Sequence, residues 1–207
     1  MQKVKALPSM FDSSKYQTVQ NFAVSKDGTK VPHFLIHRKD IKLDGSNPTL
    51  LYGYGGFEVS LTPHYVPVVG VSWLDRGGVY IEANIRGGGE YGPKWHQTGE
   101  GENWNKAYEY FISVGEDVVA KGFCKPETLG VKGGSNGGLL VGMMMVGRGD
   151  LFGAICCQVP LLDLGRSNLL LSGASWMGEL GEGAIALSLL GEGGERHGFQ
   201  YMRSWLY

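Results

Sequence analysis

The segment that most constrains this chain is Gly133-Gly134-Ser135-Asn136-Gly137-Gly138. Thr128 to Lys132 before it reads as an apolar strand, and Leu139 to Val146 after it reads as the start of a helix. A strand that reverses into a helix within so few residues brings backbone against backbone, and glycines flanking a central serine allow it. Such a turn holds the serine Oγ at the strand end beside the first N–H groups of the helix. A nucleophile and a forming oxyanion need that arrangement. Ser135 is therefore the expected nucleophile, and the N–H of Asn136 the expected first oxyanion donor. A phosphate-cradling loop of the dinucleotide type is the competing reading. The spacing does not fit GxGxxG, and no acidic residue follows a second strand at the usual place.

The rest of the chain supplies a context for that turn. Thr18 to His37 reads as two strands around an Asp27-Gly28 turn. Thr49-Leu50-Leu51-Tyr52 is an apolar strand that runs into Gly53-Tyr54-Gly55-Gly56. Val66, Val69 and Trp73 place a helix over Tyr65 to Asp75, with Gly77 as its cap. Gly78 to Ala83 is a further strand, followed by the glycine-rich loop Arg86 to Gly92. Tyr108, Phe111, Ile112, Val118 and Val119 share one face of a helix over Asn105 to Lys121, which Gly122 ends. Gly153 to Val159 is another apolar strand. Strand, loop, helix, strand in alternation predicts an α/β fold, a mostly parallel sheet with helices on both faces, here of the α/β-hydrolase type. Ligands of such folds bind at the carboxyl ends of the strands, where the glycine clusters at 53–56, 87–92 and 133–138 fall. The loop after Tyr52 is the expected source of the second oxyanion donor, with Tyr54 as the candidate.

Composition excludes several classes. With 19 Lys+Arg against 20 Asp+Glu and no run of like charge, nothing calls for nucleic acid or an anionic membrane. No segment has the run of roughly 18 apolar residues that a membrane span needs. Three cysteines without CxxC or Cys/His spacing predict neither a disulfide framework nor a metal site, and each is expected to be a buried or half-buried thiol. No apolar signal core opens the chain, so the reading is a soluble protein of the cytoplasm without cofactor or metal. Four histidines, His33, His37, His64 and His96, precede the serine and read as surface or loop residues. His96, beside Trp95, is the most site-adjacent of them.

Five motifs together resemble the prolyl oligopeptidase family of serine peptidases: YGYGGF at 52–57, NIRGGGEYG at 84–92, GGSNGG at 133–138, DLFGA at 150–154 and ASWMGE at 174–179. The resemblance implies an enzyme that cleaves short peptides after proline through an acyl-enzyme on Ser135. Tyr54 would donate its hydroxyl to the oxyanion beside the N–H of Asn136. Trp176 would stack on the substrate's proline ring, and Phe57 would line that pocket. Asn84, Ile85, Arg86 and Glu90 look like supporting residues. The resemblance also implies a β-propeller that this chain lacks, with residues 1–17 as the junction that follows it and 18–180 as a partial catalytic domain.

After Glu179 the pattern departs. The family has an aromatic where this chain has Leu180, which weakens the expected pocket, and it continues into strands bearing the catalytic acid and base. Residues 181–207 read as a divergent tail, and the sheet as truncated at its carboxyl end. Asp163 and His197 follow Ser135 in the order the fold requires. However, Asp163 closes the strand segment beside the nucleophile, where the family carries a non-catalytic acid, and His197 lies in the divergent tail. A chain with a serine and an oxyanion hole but no base is expected to be poorly active, since losing the base costs on the order of a million-fold in turnover. An esterase or lipase using the same elbow, or an inactive hydrolase-like fragment, are the alternatives.

Overall fold

The computed structural model describes residues 8–163, 169 and 171–180. Six strands form one sheet: β1 (Tyr16–Val24), β2 (Lys30–Arg38), β3 (Thr49–Tyr52), β4 (Val79–Ala83), β5 (Leu129–Gly134) and β6 (Ala154–Gln158). Their spatial order is β1-β2-β4-β3-β5-β6. The first two pairings are antiparallel, because Asp27-Gly28 turns β1 back onto β2 and β2 meets β4 in the same sense. The pairings of β4 with β3, β3 with β5 and β5 with β6 are parallel. The mostly parallel sheet is thus as expected.

Alternation along the strands sorts their side chains to two faces. Val31, Leu35, Leu51, Val79, Ile81 and Val131 point to one, where α3 (Asn105–Ala120) and α4 (Asn136–Gly147) cover them with Phe111, Val114, Val118, Leu140 and Val141. Ile36, Leu50, Tyr52 and Tyr80 point to the other, against Val69, Trp73 and Leu74 of α1 (Pro67–Ser72) and the turn after it. The expected helix over 65–75 is shorter than its apolar spacing suggested. It breaks at Trp73, whose φ is −123°, into a 3-10 turn over Leu74–Arg76 closed by Gly77 in the left-handed region.

This layering fixes where a site can form. The chain leaves β3 toward α1 on one face and leaves the adjacent β5 toward α4 on the other. Neighbouring strands whose exits diverge leave a crevice at their carboxyl ends, and that is where ligands of open α/β sheets bind.

Two expectations are overturned by burial. His33 and His37 are not surface residues. They lie on the covered face of β2 at 0% and 5% exposure, with Nδ1 of each on a backbone carbonyl. Burial lowers the His33 pKa from the usual histidine value. Of the cysteines only Cys124 is buried. Cys156 and Cys157 are exposed because β6 has no further strand beside it among the described residues.

Glu82 on β4 is a buried carboxylate at 4% exposure whose Oε2 has no hydrogen-bond partner among the described residues. Burial raises its pKa above the usual 4.5. With the folded pKa raised, the penalty of ionising Glu82 is absent well below pH 4.5, grows as pH rises past that value and is complete above the folded pKa. Glu82→Gln should therefore melt at a higher temperature than the parent at pH 7, with the gain vanishing near pH 4. Thermal melts at the two pH values check it, and an equal shift at both would contradict it.

Candidate active site

Ser135 is the N-cap of α4 and carries φ 57° and ψ −117°, a left-handed backbone at a residue with a side chain. Such strain costs about 1–3 kcal/mol and persists only where the surroundings impose it. They do so here. A Cβ on Gly133 would lie 2.0 Å from the carbonyl oxygen of Gly137, and one on Gly137 would lie 2.5 Å from that of Gly53. The Ser135 N–H donates to Gln158 O of β6 at 3.0 Å, which ties the turn to the neighbouring strand. The helix begins at Asn136, three residues earlier than its apolar run suggested, because these contacts override the poor helix propensity of Gly137 and Gly138.

Asn136 is buried at 3% exposure. As the first residue of α4, its N–H has no acceptor within the helix and forms part of the positive end of the helix dipole. Its side chain does something the sequence did not reveal. Nδ2 donates to Tyr54 O at 2.9 Å, so the elbow itself pins the loop that follows β3. The register β3–β5 sets the approach, with Tyr52 paired to Lys132 and the Gly53 N–H reaching Lys132 O. Tyr54 and Ser135 are both half-buried, at the ends of adjacent strands.

Phe57 and Trp176 join one apolar cluster. Both pack, half-buried, on a cluster formed by Trp104, Leu139 and Leu180, with Tyr108 and Met143 around it. Trp176 ends the 3-10 segment Leu171–Trp176, and α5 (Met177–Leu180) follows. Leu180, which stands where the family has an aromatic, is 5% exposed within that cluster. Asn84 and Glu90 brace the loop from outside: Asn84 Nδ2 donates to Leu61 O at 2.7 Å, and Glu90 Oε1 accepts the Leu61 N–H at 2.9 Å. Burial raises the Glu90 pKa. The Arg86 guanidinium lies over the Trp95 ring at 4.1 Å, so Arg86 packs the loop.

One residue, Glu179, escaped the sequence reading, and it meets the histidine read as most site-adjacent. Glu179 Oε1 accepts the Phe57 N–H, and its Oε2 lies 2.9 Å from His96 Nε2. His96 sits on the short helix α2 (Pro93–Gln97), whose Pro93 at the first turn was the available signal. His96, Glu100 and Glu179 place one ligand atom each within 4.8 Å of the others, a spacing that could hold a metal ion, with no such spacing in the sequence to announce it. Among the described residues no histidine hydrogen-bonds Ser135. Asp163 lies just beyond β6, and His197 lies outside the described residues.

Comparison with known proteins gives the family and the fold. The family model described as the prolyl oligopeptidase family matches residues 67–203. The chain belongs to the prolyl oligopeptidase family. That match runs past Glu179, so the family likeness does not stop where the motifs did. The chain is 49% identical over 195 residues to a peptidase of Sinorhizobium fredii, covering 91% of this chain and 27% of that protein. It is 39% identical over 195 residues to the prolyl endopeptidase of Elizabethkingia meningoseptica, covering 94% of this chain and 26% of the relative. The structure of a post-proline cleaving enzyme from Rickettsia typhi superposes with a TM-score of 0.84 at 47% identity, over 90% of this chain and 27% of that one. The chain thus spans about a quarter of the length of these relatives. The α/β-hydrolase fold is shared with them.

The backbone contacts at the elbow make a direct prediction. Gly137→Ala should lose about 1–3 kcal/mol of stability by overpacking. Gly147→Ala, at the far end of the same helix with nothing within 4 Å of its Cβ, should be neutral or gain about 0.4–1 kcal/mol. Urea unfolding of the two variants separates them, and equal midpoints would contradict the account of the elbow.

Proposed function

We propose that this chain carries the nucleophile, the oxyanion donors and the proline pocket of a post-proline serine peptidase. The observation that supports it best is the strained Ser135 at the carboxyl end of β5, beside the Tyr54 loop that Asn136 holds. In this reading Ser135 Oγ attacks the carbonyl carbon of a proline residue. Its electron pair forms the new C–O bond while the carbonyl oxygen takes up the negative charge. The Asn136 N–H and the Tyr54 hydroxyl stabilise that oxyanion; its collapse breaks the C–N bond, the amine departs with the proton that Ser135 gave up, and an ester remains on Ser135. The Trp176 indole supplies a flat apolar face for the pyrrolidine ring, and Phe57 closes the pocket on the side of the loop. The names of the relatives, a prolyl endopeptidase and a post-proline cleaving enzyme, favour this substrate class over simple esters.

The base that takes the Ser135 proton is not among the described residues around the serine, so turnover by this chain is proposed to be slow. An activated leaving group lowers the demand for acid catalysis and makes slow acyl transfer measurable. The test compares the 4-nitrophenyl esters of benzyloxycarbonyl-glycyl-proline and of butyrate. The prolyl ester should be preferred by at least about tenfold, Trp176→Ala should lose most of that preference, and Ser135→Ala should abolish turnover. About tenfold corresponds to roughly 1.4 kcal/mol of pocket contact. Equal or greater turnover of the butyrate, untouched by Trp176→Ala, would replace this reading with that of an esterase.

A further inference from the structure

Phe57 and Glu58 have φ of 55° each, two successive residues with side chains in the left-handed region. The cost of such a backbone must be met by contacts that impose it. One such contact is the carboxylate of Glu179, whose Oε1 accepts the Phe57 N–H from 122 residues along the chain. Its second oxygen, Oε2, lies 2.9 Å from His96 Nε2, and Glu100 Oε1 stands 3.2 Å from the same nitrogen. The side chains of Glu179 and His96 are only 11% and 15% exposed. A carboxylate so far out of water needs both oxygens satisfied, and a charge-assisted bond to it is stronger than one between neutral groups.

The three elements joined here are those that the proposed site needs together. Phe57 lies three residues after Tyr54 in the loop that follows β3. Trp176 lies three residues before Glu179, and its segment is joined to Phe57 through the cluster around Leu180 and through this carboxylate. His96 anchors the pair to α2, whose Trp95 side chain donates its Nε1–H to Ile85 O, just before the Arg86–Gly92 loop. We propose that Glu179, backed by His96, is a positioning residue that clamps the Trp176 segment onto the strained loop and so sets the pocket beside Ser135. The inference rests on the post-proline reading for what the pocket binds, while the clamp itself is independent of it.

The test reads the clamp and the pocket separately in the full chain. Amide exchange at Phe57 reports the hydrogen bond to Glu179. Binding of benzyloxycarbonyl-glycyl-proline, followed by tryptophan fluorescence, reports the pocket without any chemistry. Glu179→Ala should speed exchange at Phe57 and weaken binding by at least about tenfold each, the scale of one charge-assisted hydrogen bond. Glu179→Gln keeps an acceptor for the N–H and should restore exchange to within about threefold of the parent. His96→Gln should fall between the two in both readouts. If Glu179→Ala does not fold, the ordering of the parent, Glu179→Gln and His96→Gln carries the test. Unchanged exchange at Phe57 in Glu179→Ala, or in His96→Gln where the alanine variant does not fold, overturns the clamp. Faster exchange with undiminished binding overturns its role in the pocket. A parent whose Phe57 exchange depends on Glu179, but which does not bind the prolyl ligand, leaves the clamp standing and sinks the post-proline reading instead.

Discussion

At the turn between β5 and α4, backbone packs directly on backbone. Gly133 lies against the carbonyl of Gly137, and Gly137 against that of Gly53, at separations no Cβ would tolerate. Everything else in the site depends on that closeness. It forces Ser135 into a left-handed conformation and starts the helix at Asn136. It also brings the elbow near enough to the loop after β3 for the Asn136 side chain to bond Tyr54 O. The strain is held by the sheet on one side, through Ser135 N–H on Gln158 O, and by the buried helix on the other.

Around this contact the fold acts as a jig. Strands β3 and β5 are neighbours, yet their outgoing chains pass to opposite faces of the sheet, so the two loops that matter open into one crevice. A second layer of support comes from farther along the chain. Leu180 fills an apolar cluster with Trp104 and Leu139, and Glu179 reaches back to the strained backbone at Phe57. Apolar packing brings the Trp176 segment into place, and directional polar contacts with two distant elements set its register. That division of labour is common where a pocket must be both stable and well defined.

What the sequence disclosed and what it withheld follow from how local each feature is. The elbow, the strands and α3 were legible because their signals lie within a few residues: glycine spacing, an apolar run, one helical stripe. The start of α4 was misplaced because propensity scores Gly137 and Gly138 against a helix, while a contact with Gly53, 84 residues away in the chain, demands them. His33 and His37 looked like surface residues because their burial depends on a helix crossing β2 that nothing beside them announces. Glu179 and His96 are 83 residues apart, and no periodicity links them. The residues proposed for chemistry were found through a motif. The residue proposed to hold them in place could be found only through the fold.

The central claim is that these contacts gather Ser135, the oxyanion donors and an apolar pocket into one proline-accepting site. A crystal structure of the chain with benzyloxycarbonyl-glycyl-proline bound tests it most directly, since the ligand carries the ring and a carboxylate where the scissile carbonyl would be. The account predicts the pyrrolidine ring against the Trp176 indole, with a carboxylate oxygen within hydrogen-bond distance of the Asn136 N–H and the Tyr54 hydroxyl. A ligand seated elsewhere, or one whose carboxylate points away from Ser135, would contradict it.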